Sequence, residues 1–413
     1  MEGIALTDED RAILALETEA VAGHTCKVVL IGPGAPSAEQ LAAAIEPRLP
    51  AVPALTRRLG GSAQQPVWVD DDRFDIGAHV AASDVDPCDE GALRGEVARL
   101  FAERLDRSRP LWHLDVVARS GGRAALVWRV HHALADGTVA MRFAEAVLWD
   151  GDDDPPAARR PAPTAHDTGR HVRLAAFVRH EVELAPRPSP FDGKIGHERE
   201  VAFAGAPLRA LHDAARRLAD ATVNDAVLAA VAGGLRAWIQ HHHGHLGRVR
   251  VKVPVSLHHP GDGAGNRDSF FTLELPLGEP DAVGRLAAVR AATAERKACH
   301  DAETLDLLMR DLARVSPQLE RFCRRLEASP RTFALNVSNV PGPARPVSVL
   351  GAPVEAVYSL AEIGERHALR IAVVSLSGQL NFGFCSDPAI VGDLDLLARE
   401  VEAEASALLA AAR

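Results

Sequence analysis

Apolar positions recur along this chain in two rhythms, and the rhythms predict its elements. Short apolar runs mark strands over 25–31, 66–69, 111–118, 124–130, 249–257, 270–277, 332–340, 369–376 and 379–385, with alternation clearest over 124–130 and 249–257. Helical spacing marks 36–45, 92–105, 138–149, 208–218, 223–240, 285–299, 305–326 and 394–409. Leu93, Val97, Leu100, Phe101 and Leu105, for example, form one buried stripe. Thr7 opens a further short helix with acidic residues at its positive end, and Ser37 caps the next. Thr222 with Asp225 is a capping box, so Asp225 is read as structural support. Ser120-Gly121-Gly122 and Ser377-Gly378 are hairpin turns.

The rhythm lapses over 150–170, where Asp152, Asp153 and Asp154 precede a run of prolines. Such a stretch buries too little apolar surface to offset its ordering entropy. It divides the chain into an N-terminal half, 1–150, a linker and crossover, 151–200, and a C-terminal half, 201–413. Strands and helices mix irregularly in both halves, which predicts an α/β class with mixed sheets.

Composition narrows the classes. The 413 residues are 47% apolar and 25% charged, as in a soluble globular protein of two domains. A net charge of −10 argues against a nucleic-acid binder. The five cysteines, Cys26, Cys88, Cys299, Cys323 and Cys385, are scattered with no Cys-x-x-Cys, so neither a zinc site nor a disulfide framework is expected. With no basic-then-apolar leader and no run of about 18 apolar residues, a cytoplasmic location is expected. Peripheral contact with a membrane or lipid body is left open, as is the oligomeric state.

The chemistry concentrates in Val127 to Gly137, Val-Trp-Arg-Val-His-His-Ala-Leu-Ala-Asp-Gly. Alternation puts Leu126, Trp128, Val130 and His132 on one face, and Val127, Arg129 and His131 on the other. His132 thus closes an apolar row where the strand runs out and turn chemistry begins. An imidazole there can serve as a neutral base at pH 7. Gly-x-Ser-x-Gly and phosphate-loop motifs are absent. His241 to His245 lack a fixed carboxylate partner in sequence and read as a solvated helix end, so no metal ligands are assigned.

These motifs carry a resemblance. Trp68 to Val80, the Pro110-Leu111-Trp112 triplet, His131-His132-Ala-Leu-Ala-Asp136-Gly137, Asn224-Asp225, Gly265-Asn266-Arg267 and Asn336-Val-Ser-Asn-Val-Pro-Gly-Pro343 occur in order. Together the chain resembles the bacterial wax ester synthase / acyl-CoA:diacylglycerol acyltransferase family. The resemblance implies two chloramphenicol-acetyltransferase-like halves with a channel between them. It implies acyl-CoA as substrate, an alcohol as acceptor and no bound cofactor. His132 would be the general base and His131 its support. Asp136 would hold the loop through an arginine, and Gly137 would permit a close approach. Pro110, Leu111, Trp112, Asn224, Ser338 and Asn339 would line the substrate path, with Ser338 and Asn339 as oxyanion donors.

Two alternatives stand beside it. A condensation-type enzyme shares the histidine motif and would use a carrier-protein thioester or a non-lipid acceptor. A non-catalytic lipid-binding relative would keep only the channel. The charged stretch Ser359 to His367 departs from the glycine- and proline-rich form usual in the family.

Overall fold

The structure is a computed structural model describing residues 3–62, 65–85, 89–151, 189–256, 268–299 and 329–413. Most of the expected linker, the loop expected at 261–265, the helix expected at 305–326, Gly265-Asn266-Arg267, Cys88 and Cys323 lie outside the described residues.

The first half runs β1 (Ile4–Ala5), α1 (Asp8–Ala15), β2 (His24–Ile31), α2 (Ala38–Ile45), β3 (Arg57–Ser62), β4 (Gln65–Asp70), β5 (Val80–Ala82), α3 (Glu90–Ala102), β6 (Trp112–Arg119), β7 (Arg123–His131) and α4 (Gly137–Val147). The second runs β8 (Glu200–Pro207), α5 (Leu208–Ala219), α6 (Val223–His243), β9 (Arg250–Ser256), β10 (Asp268–Glu274), α7 (Ala282–Cys299), β11 (Leu335–Val340), β12 (Ser348–Val349), β13 (Ala352–Ala361), β14 (Leu369–Leu376), β15 (Gln379–Ser386) and α8 (Leu394–Ala411).

Helix starts follow their caps. Capping boxes close at Thr7 with Asp10, Ser37 with Gln40, and Thr222 with Asp225. Asp225 is fully buried, and its second oxygen accepts from Thr293 Oγ1 at 2.6 Å, tying α6 to α7.

Two six-stranded sheets form the frame, ordered β12-β13-β2-β7-β6-β5 and β10-β9-β11-β14-β15-β8, beside a small sheet β1-β4-β3. Both large sheets mix parallel and antiparallel pairs, as expected for this class. The first sheet is covered on both faces. Val29, Ile31, Leu126, Trp128 and Val130 pack with α2 and α4, whereas Cys26, Val28, Ala125 and Val127 pack with α3 and the second-half core.

The chain returns across its own midpoint. β12 and β13, from the C-terminal half by sequence, complete the first sheet by pairing β13 with β2. β13 also crosses close over β15, where a Cβ on Gly383 would lie 2.1 Å from the Ser359 carbonyl oxygen. Val340, Val374 and Leu376 of the second sheet join the hydrophobic cluster of the first half. The two sheets are therefore locked by a strand exchange as well as by packing.

Candidate active site

β7 ends at His131, paired opposite His24 of β2, and a turn follows. Leu134 and Ala135 N–H both return to the His131 carbonyl, and His132 N–H donates to the Gly23 carbonyl at 2.9 Å. His132 is thus the first residue of a turn, and its side chain is half-buried.

Burial pushes the His132 imidazole down to about 4, and the nearby Arg370 charge adds to the shift; Asp136 and the residue's own carbonyl pull the other way. The ring is neutral at pH 7, as a proton acceptor must be. Its Nδ1 is buried and has no hydrogen-bond partner among the described residues.

His131 is differently employed. It is 1% exposed; its Nδ1 accepts from Ala133 N–H at 3.0 Å, and its Nε2 lies 2.6 Å from Glu17 Oε1. An accepting Nδ1 puts the ring hydrogen on Nε2, donated to Glu17. The ring therefore holds the turn that carries His132 and is not free to act as a base. Burial raises the Glu17 carboxyl, but hydrogen bonds and charge from His131 and Arg107 outweigh it and hold it below its ordinary range. Gly23 sits at φ +75°, where a Cβ would come within 2.8 Å of His131 Nε2, so the packing admits no larger residue.

Asp136 caps α4: Oδ1 accepts from Thr138 and Val139 N–H at 2.8 and 2.7 Å. Its Oδ2 is buried with no hydrogen-bond partner among the described residues, so the expected pairing with an arginine is not found there. The cationic neighbour is Lys27 of β2, whose Nζ donates to Ser359 Oγ at 2.8 Å. Burial lowers the Lys27 ammonium to about 8, with Cys26 and Asp136 opposing. A Cβ on Gly137 would lie 3.8 Å from Lys27 Nζ and 3.6 Å from Val340 Cγ2. The motif's end thus meets both the first sheet and β11 of the second.

The other expected site residues divide. Pro110, Leu111 and Trp112 are buried. The Leu111 carbonyl accepts from His131 N–H at 2.9 Å, Trp112 Nε1 donates to the Leu55 carbonyl at 2.7 Å, and its ring stacks on His79. The triplet supports the histidine strand rather than presenting side chains to open space. Asn224 is half-buried in the first turn of α6, with no side-chain hydrogen bond among the described residues. Ser338 and Asn339 are consecutive on β11 and so face opposite ways. Leu335 and Val337 enter the second-half core while Val340 packs on the first half, which puts Ser338, with Asn336, toward the first half and Asn339 away from it.

Sequence reasoning misses Glu17, Lys27 and Arg370. Lys27 and Arg370 are visible as charges inside otherwise apolar strands; Glu17, in a loop after α1, carries no local signal. His241 and His242 lie in the last turn of α6 rather than beyond it, and Asp393 supplies a carboxylate that the local sequence does not contain. Their ligand atoms lie within 4.8 Å of one another, in an exposed cluster at the helix end.

The wax ester synthase/diacylglycerol acyltransferase catalytic-domain model matches residues 6–181, and the C-terminal-domain model of the same family matches 264–408. A Mycobacterium tuberculosis protein named a probable diacylglycerol O-acyltransferase is 30% identical over 380 residues, covering 83% of this chain and 84% of its own. The chain belongs to the wax ester synthase/diacylglycerol acyltransferase family. It is an acyltransferase of that type. The wax ester synthase/diacylglycerol acyltransferase from Marinobacter aquaeolei VT8 superposes with a TM-score of 0.76 at 24% identity, covering 99% of both chains. The starter condensation domain of rhizomide synthetase, solved with C8-CoA and Leu-SNAC, gives 0.60 at 15% identity, covering 99% of this chain and 94% of that one. At those identities the superpositions speak for a shared fold of two acetyltransferase-like halves. No single helix among the described residues of this family member is long and apolar enough to cross a membrane; α5 and α6 together reach that length but meet at 90°.

Proposed function

We propose that the chain moves an acyl group from acyl-CoA onto the hydroxyl of a long-chain alcohol or diacylglycerol, with His132 as general base in a channel between the halves. The observation that carries this reading is the state of His132: a half-buried ring lowered to about 4, fixed at a strand end beside the second sheet. The names of the relatives supply the ester product, and the C8-CoA bound to the rhizomide domain supplies the donor class.

In this scheme the acceptor hydroxyl gives its proton to His132 as its oxygen attacks the thioester carbon. The resulting imidazolium returns the proton to the departing CoA thiolate. A positioned base of this kind contributes about 10²–10⁴-fold. Attack is direct, and no acyl-enzyme forms. His131, Glu17 and Asp136 act by fixing the turn. A lipid acceptor would be met by peripheral contact with a membrane or lipid body from the cytoplasm.

The test follows thiol release from acyl-CoAs of several lengths against long-chain alcohols, diacylglycerol and matched amines. Release with hydroxyl acceptors supports the reading. Release only with amines, or only from a carrier-protein thioester, sinks it in favour of condensation chemistry.

A further inference from the structure

β14 enters the second sheet with Leu-Arg-Ile-Ala-Val-Val. Alternation sends Leu369, Ile371 and Val373 into the second-half core, and Arg370, Ala372 and Val374 to the face that meets the first half. That face also carries Asn336 and Ser338 of β11, so the guanidinium sits among polar as well as apolar side chains.

Among the described residues no carboxylate is hydrogen-bonded to the Arg370 guanidinium. Arg370 Nη1 donates to the Glu362 backbone carbonyl at 2.8 Å, and Nε is buried with no partner among the described residues. The Glu362 carboxylate is occupied elsewhere. Oε1 accepts from Arg199 Nε at 3.0 Å and Ile363 N–H at 3.1 Å, and Oε2 accepts from Ala22 N–H at 3.1 Å. Arg199 Nη2 also lies 3.0 Å from Oε1. The Glu362 carboxylate acts on Arg370 through its charge, but its hydrogen bonds go to Arg199 and to backbone N–H groups. Across the register from Arg370 stands Asn336, whose Oδ1 is also buried and unpartnered among the described residues.

The same contacts link Arg370 to the turn that carries His132. Glu362 accepts from Arg370 with its carbonyl and from Ala22 with its carboxylate; Gly23, next in the chain, accepts from His132 N–H. The Arg370 charge also helps hold the His132 imidazole down.

We propose that Arg370 is a catalytic residue of the acyl transfer, its guanidinium stabilising the oxyanion formed when the acceptor oxygen adds to the thioester carbonyl. This rests on the reading of the site as an acyl-CoA-dependent transferase. The thioester and hydroxyl are neutral at the reacting centre, so a cation whose nearest carboxylate is bonded to Arg199 has little to bind in the ground state. When the C–O bond forms, the carbonyl π pair moves onto its oxygen and the hydroxyl proton goes to His132. Negative charge then appears beside Arg370. When the oxyanion collapses, the C=O bond is restored, the C–S bond breaks, and the thiolate takes the proton from the imidazolium. A charge that meets its partner only in the transition state accelerates the step and does not tighten substrate binding.

The experiment compares Arg370→Met and Arg370→Lys with wild type and His132→Ala, each checked for an unchanged melting temperature. Expected for Arg370→Met is a kcat loss of about 10²–10³ with KM for acyl-CoA nearly unchanged, partly restored in Arg370→Lys or by added guanidinium. The acid limb of the profile should move upward, because Arg370 no longer disfavours the His132 imidazolium; Asp136 and His131 remain beside that ring in the variant. Unchanged kcat in Arg370→Met with His132→Ala inactive would overturn the Arg370 role alone. Loss confined to KM, or to an anionic acceptor, would make Arg370 a recognition residue and overturn it equally. If Arg370→Met fails to fold, the neutral but hydrogen-bonding Arg370→Gln decides: wild-type kcat and KM with an unmoved acid limb would overturn the role as well. Absence of acyl-CoA-dependent transfer in wild type would instead remove the reading beneath it.

Discussion

Glu17 Oε1 lies 2.6 Å from His131 Nε2, joining a loop after the first helix to the first histidine of the motif. Arg107 and Arg104 close on the same carboxylate at 2.7 and 3.2 Å. The carboxylate fixes the ring, the ring fixes Ala133, and the turn sets His132. Glu17→Gln should therefore lower kcat while leaving KM for the donor nearly unchanged. Glu17→Ala should also destabilise by on the order of 1–3 kcal/mol, since a buried ring N–H loses its acceptor. Steady-state kinetics with denaturant melts check both.

Asp136 separates structure from chemistry. Asparagine caps a helix about as well as aspartate, whereas alanine does not. Asp136→Ala is expected to lose about 1–2 kcal/mol of stability from the α4 cap. Asp136→Asn is expected to keep most of the stability and measurable transfer activity. An inactive but fully stable Asp136→Asn would show that the carboxylate charge itself is needed.

Much of this is legible in the sequence, and the misses have physical causes. Apolar runs locate β2, β6, β7, β14 and β15, because those strands are covered on both faces, and local hydrogen bonds locate the caps at Thr7, Ser37 and Thr222. β13 escapes this reading: Pro353 and a register shift between Val354 and Ala356 break its alternation. β8, rich in alanine and glycine, has little intrinsic strand preference and is a strand because β15 pairs with it. At the site, alternation puts His131 and His132 on opposite sides, but Glu17, 114 positions from His131, is a partner that only the fold can supply. The charged stretch from Ser359 to His367 reads as a departure. In the structure it holds Ser359 for Lys27 and Glu362 for Arg199, two buried polar contacts.

The strand crossing gives a prediction independent of catalysis. A Cβ on Gly383 would fall 2.1 Å from the Ser359 carbonyl oxygen, which is backbone and cannot swing aside. Gly383→Ala should push β13 off β15 and lower the melting temperature by several degrees, with activity falling alongside. A calorimetric scan with wild-type melting would show that the sheets are not held at that crossing.

Acid should affect stability before it affects the chemistry. Burial lowers His132 to about 4 and His24 to about 3, from an ordinary value of 6.5. Between pH 6.5 and those values the unfolded chain binds protons that the folded chain refuses. Stability from these groups is therefore present above pH 6.5 and lost as pH falls through that window. The acid limb of kcat/KM should lie near pH 4, not near 6.5, for molecules still folded. Melting temperature against pH, with rates measured in the same buffers, separates the two effects; a limb near 6.5 would mean that His132 titrates as an exposed ring does.

The central claim is that one imidazole, His132, takes the proton of the attacking hydroxyl. Its most direct test is the rate of CoA thiol release by His132→Ala beside wild type, at saturating alcohol acceptor and with both melting temperatures recorded. The account predicts a fall of about 10²-fold or more at an almost unchanged melting temperature. Wild-type release by a folded His132→Ala would contradict it.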